Sequence, residues 1–164
     1  MGLQLPGELI TALGWLGYTW PEADEEKIFE MGQAWLAFGG TVDAATGQAG
    51  SAATAVWSQH SAESLQAFQK WWTDAESGPG TLPGYSQAAT LVGTGLIICA
   101  AIVLALKIQV IVQLAILAFE VAQAIATAVA TFGASLLEIP IFQMITREIV
   151  GLLIDRVLSE LMDA

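Results

Sequence analysis

The chain is 164 residues long, 55% of them hydrophobic and 13% charged, and carries a net charge of −11. That charge excludes a nucleic-acid partner, because phosphate binding needs clustered Lys and Arg. Cys99 is the single cysteine and His60 the single histidine. An internal disulfide and a Cys/His zinc cluster are therefore also excluded. So large an apolar fraction in a chain of this length predicts that a partner or a membrane covers part of its surface.

The first half of the chain, residues 1–76, contains every tryptophan and predicts a helical hairpin. A short helix is expected over about residues 6–16. The next helix is expected to begin at Pro21, because proline costs nothing in a first helical turn. The acidic residues that follow, at positions 22–26, favour the positive end of the helix dipole. A solvated helix start is a simpler interpretation of them than a cation site.

A heptad seam then continues the helix, with apolar residues at alternating spacings of three and four. Its members are Ile28, Met31, Trp35, Phe38, Val42, Ala45, Ala49, Ala52 and Val56. Four glycines between positions 39 and 50 weaken such a helix by about 1 kcal/mol each relative to Ala. They indicate either that another helix approaches closely or that the helix breaks near residues 47–51, and both alternatives stay open.

A bend over residues 57–60, which includes Trp57, is expected to end this helix. A shorter helix is predicted over residues 61–76, with Ser61 as its N-cap and Phe68 and Trp72 continuing the seam spacing. The Gly/Pro-rich segment 77–84 predicts a linker, because no helix or strand is expected to cross it.

The last part of the chain, residues 85–164, is dominated by Ala, Ile, Leu and Val. Residues 88–106 suffice in length and hydropathy to span a bilayer. Residues 110–137 are apolar but include Glu120, which costs about 2.5–3.5 kcal/mol at a bilayer centre. A single long helix over about residues 87–131 fits as well as two spans. The candidate membrane residues are Leu96, Ile97, Ile98, Ile102 and Glu120.

An amphipathic helix is predicted over about residues 141–162, after Pro140. The fold class is therefore all-α: a helical hairpin with long apolar helices, forming an elongated helical bundle. Nothing in the sequence predicts catalysis, a cofactor or a metal site. His60 has no nearby nucleophile with a sequence signature, and no glycine-rich loop follows a strand. We expect a protein that is not an enzyme.

Taken in order, these features resemble the W-x-G family of helical hairpins exported by type VII secretion systems. They are most similar to the longer W-x-G-like N-terminal domain of actinobacterial polymorphic toxins, as in the mycobacterial outer-membrane channel and necrotizing toxin. The resemblance rests on the segment 20–25 (Trp-Pro-Glu-Ala-Asp-Glu), the Trp35 helix, the Trp57 bend, and Phe68 and Trp72 behind it. Gln59 stands where the family motif has its glycine.

The resemblance implies pairing with small W-x-G-like helical proteins and export by the type VII machinery. The residues expected to bind a partner are Ile28, Met31, Trp35, Phe38, Val42, Trp57 and Phe68. Trp72 and Glu76 stand for the Tyr-x-x-x-Asp/Glu export signal, a spacing that places both side chains on one face of a helix.

Residues 1–20 lack the positive n-region of a cleavable signal peptide, so the protein is expected to be secreted or associated with the cell surface through type VII secretion. In the family, a toxin domain follows such a domain at its C-terminal side. The sequence up to Ala164 shows no toxin domain, so we expect the chain to be the delivery portion alone. Two alternatives stay open. The segment 88–137 inserts into a membrane or forms a pore that helps to translocate a toxin, or the protein is a structural helical bundle of unrelated function.

Overall fold

The computed structural model describes residues 2–163, which form five α-helices, one 3-10 helix and no β-strand. The all-α prediction is confirmed. The helices are α1 (Gly7–Trp15), α2 (Glu25–Gln59), α3 (Glu63–Thr73), α4 (Gly78–Thr127) and α5 (Ile139–Asp163), with the 3-10 helix (Ala134–Glu138) before α5.

Two compact units divide these helices. Unit 1 contains Met1–Lys27 and Cys99–Ala164, and unit 2 contains Ile28–Ile98. The helices α2 and α4 therefore contribute residues to both units. The sequence predicted a division after residue 76 instead, at the Gly/Pro-rich segment.

The start of α2 lies four residues later than expected. Asp24 explains the difference, because its Oδ1 accepts the Lys27 N–H at 3.2 Å and so occupies the N-cap position. The other end of α2 lies inside the segment 57–60 that was expected to form a bend. The helix continues through Trp57 to Gln59, and α3 follows an extended N-cap at Ala62 rather than at Ser61. Trp57 thus lies in the last turns of α2 and not in a bend.

The prediction that no helix crosses residues 77–84 was wrong. The helix α4 begins at Gly78 and continues through Pro83. Its start is capped by Ser77, whose Oγ accepts the Gly80 N–H at 3.0 Å. A Cβ at Gly80 would lie 2.1 Å from the Asp74 carbonyl oxygen, so glycine is needed here for close approach of the preceding turn. The residues that resemble a linker therefore build a helix start. The long-helix alternative for the apolar segment is the one observed.

The core of unit 1 packs α1 and the second part of α4 against α5. Its buried members are Leu5, Leu13, Leu16, Leu106, Val110, Leu114, Leu117 and Val150. Tyr18 joins α5 to this core, because its hydroxyl donates to the Arg147 carbonyl at 3.2 Å. A Cβ at Gly151 would lie 2.7 Å from the same hydroxyl oxygen, so the Tyr18 contact requires a residue without a side chain there.

Unit 1 also contains a buried ion pair between Lys107 and Glu25. The Lys107 side chain is 1% exposed, and its Nζ lies 2.6 Å from Glu25 Oε2. The same Nζ donates to the Ala23 carbonyl at 2.6 Å and to the Leu3 carbonyl at 3.3 Å. Glu25 Oε1 accepts the Leu3 N–H. The cation and the carboxylate therefore tie the N-terminal segment and the start of α2 to the middle of α4.

Candidate partner-binding surface

The inward face of α2 in unit 2 packs on α4, with glycines at the points of closest approach. A Cβ at Gly32 would lie 2.8 Å from the Gly93 carbonyl oxygen, and a Cβ at Gly93 would lie 2.8 Å from the Gly32 carbonyl oxygen. About two helical turns further along α2, Ser86 Oγ donates to the Gly39 carbonyl at 3.1 Å. These contacts run antiparallel and require the two backbones to lie close together.

The glycines of α2 therefore divide into two groups. A Cβ at Gly39 would lie 3.2 Å from the Ser86 carbonyl oxygen, so α4 approaches closely there, as the first of the two open alternatives expected. Gly40, Gly47 and Gly50 would accept a Cβ with no atom of this chain within 4 Å. The second alternative, a helix break near residues 47–51, is wrong, because α2 is continuous there.

The predicted heptad seam is not the row that packs inside the chain. The inward row lies one residue further along the sequence and contains Gly32, Leu36, Gly39, Thr46, Gly50, Ala53 and Trp57, all buried or half-buried. A shift of one residue rotates a helix face by about 100°. The seam residues Met31, Trp35 and Phe38 consequently remain 49%, 39% and 52% exposed. Ile28 and Val42 lie between the two rows and are half-buried.

The exposed seam residues form one surface, which we call the outward row. Met31, Ala34, Trp35 and Phe38 line a shallow apolar depression of about 270 Å³. The Trp35 and Phe38 rings meet edge to face, with centroids 6.0 Å apart and planes at 88°, a favourable geometry for aromatic pairs. The chain thus fixes the two largest side chains of the row without covering them.

The outward row continues along α2 in small residues. Ala45, Ala49 and Ala52 are exposed, and Val56 is exposed beyond them. From Ala44 to Gln59 the helix has no charged residue. Small side chains allow a second helix to approach closely, so the row offers two aromatic anchors at one end and a smooth apolar stripe at the other.

Trp57 and Phe68 occupy a different place from the other predicted partner residues. Their rings lie 5.7 Å apart, and Phe68 also contacts Trp72 at 5.6 Å and Trp71 at 6.2 Å. This aromatic cluster joins α2 to α3 within unit 2. Both Trp57 and Phe68 are half-buried in it, while Trp71, which was not among the residues expected to bind a partner, is exposed.

The predicted export signal does not have the helical geometry that its spacing implied. The helix α3 ends at Thr73, and Asp74 follows as an extended C-cap with φ −70° and ψ 127°. Asp74 Oδ1 then accepts the Glu76 N–H at 2.9 Å in a turn. Trp72 and Glu76 therefore do not share a helix face, and their role as a signal stays a prediction.

The candidate membrane residues differ in how far the rest of the protein covers them. Leu96, Ile97, Ile102 and Glu120 are half-buried, and Ile98 is exposed. Among the described residues, the range Glu63–Thr127, which includes α4, contains one helical window that is long and apolar enough to cross a membrane, with a mean hydropathy of 2.6 and 22% of it buried. Among those residues, no three His, Cys, Asp or Glu side chains come together to hold a metal ion.

Comparison with known proteins gives one match. The family model described as "WXG100 like domain" matches residues 5–148 of the chain. No curated protein and no solved structure matches it.

Proposed function

We propose that this chain, which belongs to the WXG100-like domain family, binds a small helical partner protein through the outward row of α2 and is exported with it. The family consists of helical proteins related to type VII secretion. The partner, the route and the cargo are the parts that we propose. The proposed function is the pairing of helices, and it includes no chemical reaction.

The exposed aromatic anchors are the observation that supports partner binding. Met31, Trp35 and Phe38 present contiguous apolar surface on a helix whose other side is occupied by α4. Burying a side chain of this size stabilises a complex by about 1.5–3 kcal/mol. A few residues near the centre of an interface contribute most of its binding energy, and Trp is among the residue types enriched there.

The partner that fits this surface is a helix with its own heptad seam. Its large residues would fill the space beside Trp35 and Phe38, and its backbone would approach α2 at Ala45, Ala49 and Ala52. We further propose that the pair leaves the cell by type VII secretion without a cleavable signal peptide. In the polymorphic-toxin setting that the resemblance implies, the module would deliver a linked toxin domain.

Co-expression with small W-x-G-like helical proteins as candidate partners tests the proposal. We expect a soluble, stoichiometric complex by light scattering, and we expect Phe38→Ser to weaken it about 10-fold to 100-fold, from the loss of one buried aromatic side chain. Phe132→Ser is the matched control, because Phe132 is also exposed but belongs to unit 1. Equal affinity of the Phe38→Ser and wild-type chains would overturn the assignment of the outward row.

Membrane insertion of residues 88–137 is a second candidate function, favoured by the apolar window that lies mostly exposed. Glu120 would then face a polar lumen, as polar residues inside membranes do. Liposome leakage measures this candidate, and Glu120→Leu is expected to change it. Leakage that is absent, or that is the same for both chains, would remove the role of Glu120.

A further inference from the structure

The connection between α4 and α5 carries the two most exposed large apolar side chains of unit 1, Phe132 and Val129. We call residues 128–137 the apolar tip. Val129 is 90% exposed, Phe132 101% and Leu137 76%. Phe132 is also the one non-glycine residue with a positive φ, 52°, among the described residues. A bulky residue rarely adopts that backbone region, and its ring makes no contact that would offset the strain.

The polar groups of the tip point back into the protein. Ser135 Oγ donates to the Ala124 carbonyl at 2.7 Å, and Thr131 Oγ1 donates to the Thr127 carbonyl at 3.0 Å. The Ser135 N–H donates to Thr131 Oγ1 at 3.3 Å, and the Gly133 N–H donates to the Ala128 carbonyl at 2.7 Å. Both hydroxyls are therefore hydrogen-bonded within the chain, and the most exposed side chains of the tip are apolar.

The apolar tip lies in an uncharged part of the chain. Residues 121–137 contain no charged residue, and Glu120 and Glu138 stand at the two ends of this stretch. The whole chain carries a net charge of −11. An acidic chain with an uncharged tip is repelled by anionic lipids and can approach a zwitterionic surface.

We propose that the apolar tip inserts into the headgroup boundary of a zwitterionic lipid bilayer, with Val129, Phe132 and Leu137 entering the apolar layer. A lipid surface needs no hydrogen bonds from the protein, and it penalises unsatisfied polar groups. A protein interface instead carries about one hydrogen bond per 100–200 Å², and both side-chain hydroxyls of the tip already donate to carbonyls of this chain. The contact is interfacial and differs from a membrane-spanning helix.

Flotation of the full chain with phosphatidylcholine vesicles tests this proposal. We expect wild-type protein to float, and Phe132→Ser to reduce the bound fraction about ten-fold, since one buried apolar side chain is lost. Phe132→Leu keeps the apolar contact and is expected to float like wild type. Phe38→Ser changes an exposed phenylalanine of unit 2 and is expected to float normally. Circular dichroism confirms that each variant is folded.

Three outcomes would overturn the proposal. They are the absence of wild-type flotation, equal flotation of Phe132→Ser, and stronger binding to vesicles that also contain phosphatidylserine. Binding that resists alkaline carbonate and ignores the tip substitutions would show a spanning helix instead. The proposal does not depend on partner binding, because the Phe38 and Phe132 variants separate the two activities.

Discussion

Replacing Lys107 with methionine is expected to destabilise the protein by about 3–5 kcal/mol, because it leaves the buried Glu25 carboxylate without its cation. The loss also removes the donor to the Leu3 and Ala23 carbonyls. Equilibrium urea unfolding at neutral pH measures the change. A matched control is Lys27→Met, which removes an exposed lysine whose contact with Asp24 spans 3.8 Å and which is expected to cost at most about 1 kcal/mol.

A second substitution separates the charge effect from lost packing. Glu25→Gln combined with Lys107→Met removes both charges, and we expect it to recover a large part of the stability that the single variant loses. A double variant as unstable as Lys107→Met would contradict this account. It would show that the lysine stabilises unit 1 through its chain packing and not through its charge.

Acid provides a second readout of the same pair. Burial alone raises the pKa of Glu25, but the Leu3 N–H and the Lys107 ammonium outweigh burial and lower that pKa below its ordinary value. A carboxyl with a lowered pKa contributes stability above its unfolded pKa of about 4.3, and this contribution is lost as pH falls through the folded pKa. The advantage of wild type over Glu25→Gln is therefore expected to shrink below about pH 4.

Gly93→Leu is expected to destabilise unit 2 by about 3 kcal/mol, at the upper end of the range for overpacking. Its Cβ alone would lie 2.8 Å from the Gly32 carbonyl oxygen and 2.9 Å from Leu36. The first of these is a backbone atom, so α2 itself must move away from α4. Urea unfolding measures the loss of stability, and near-ultraviolet circular dichroism reports the displaced tryptophans of this unit.

Gly47→Ala is the matched control for that substitution. Gly47 also lies inside a helix, but a Cβ there meets no atom within 4 Å. We expect it to stabilise the chain by about 0.4–1 kcal/mol, because alanine restricts the unfolded chain and favours helix. Stabilisation by both substitutions would show that helix propensity, and not the approach of α2 to α4, decides the role of these glycines.

The sequence predicted the helices better than it predicted their faces. Apolar periodicity identified the helix that contains Trp35, yet the row that packs inside the chain is one residue away. Hydrophobicity patterns favour large apolar residues, whereas the internal contact uses Gly32, Gly39 and Gly93. Only the position of the second helix shows that glycines lie at the closest approach on the inner face and that Met31, Trp35 and Phe38 remain outside.

Other features depended on contacts distant in sequence. Lys107 is the only charged residue between Ser77 and Phe119, and a lone charge in an apolar helix indicates a buried partner. That signal was present, but nothing local selected Glu25 from the neighbouring acidic residues. Ser77 and Gly80 likewise resemble linker residues in the sequence. Their role in the start of α4 is visible only from the contact with the Asp74 carbonyl in the structure.

Oxidation footprinting of methionines tests the outward row most directly. Met31 lies in the row, whereas Met144 and Met162 are exposed on α5 in the other unit. With the helical partner bound, we expect peroxide to oxidise Met31 about ten-fold more slowly than in the free chain, since oxidation follows exposure. The rates of Met144 and Met162 are expected to stay the same. If Met31 oxidises at the free-chain rate in a stoichiometric complex, the partner binds elsewhere and the central proposal is wrong.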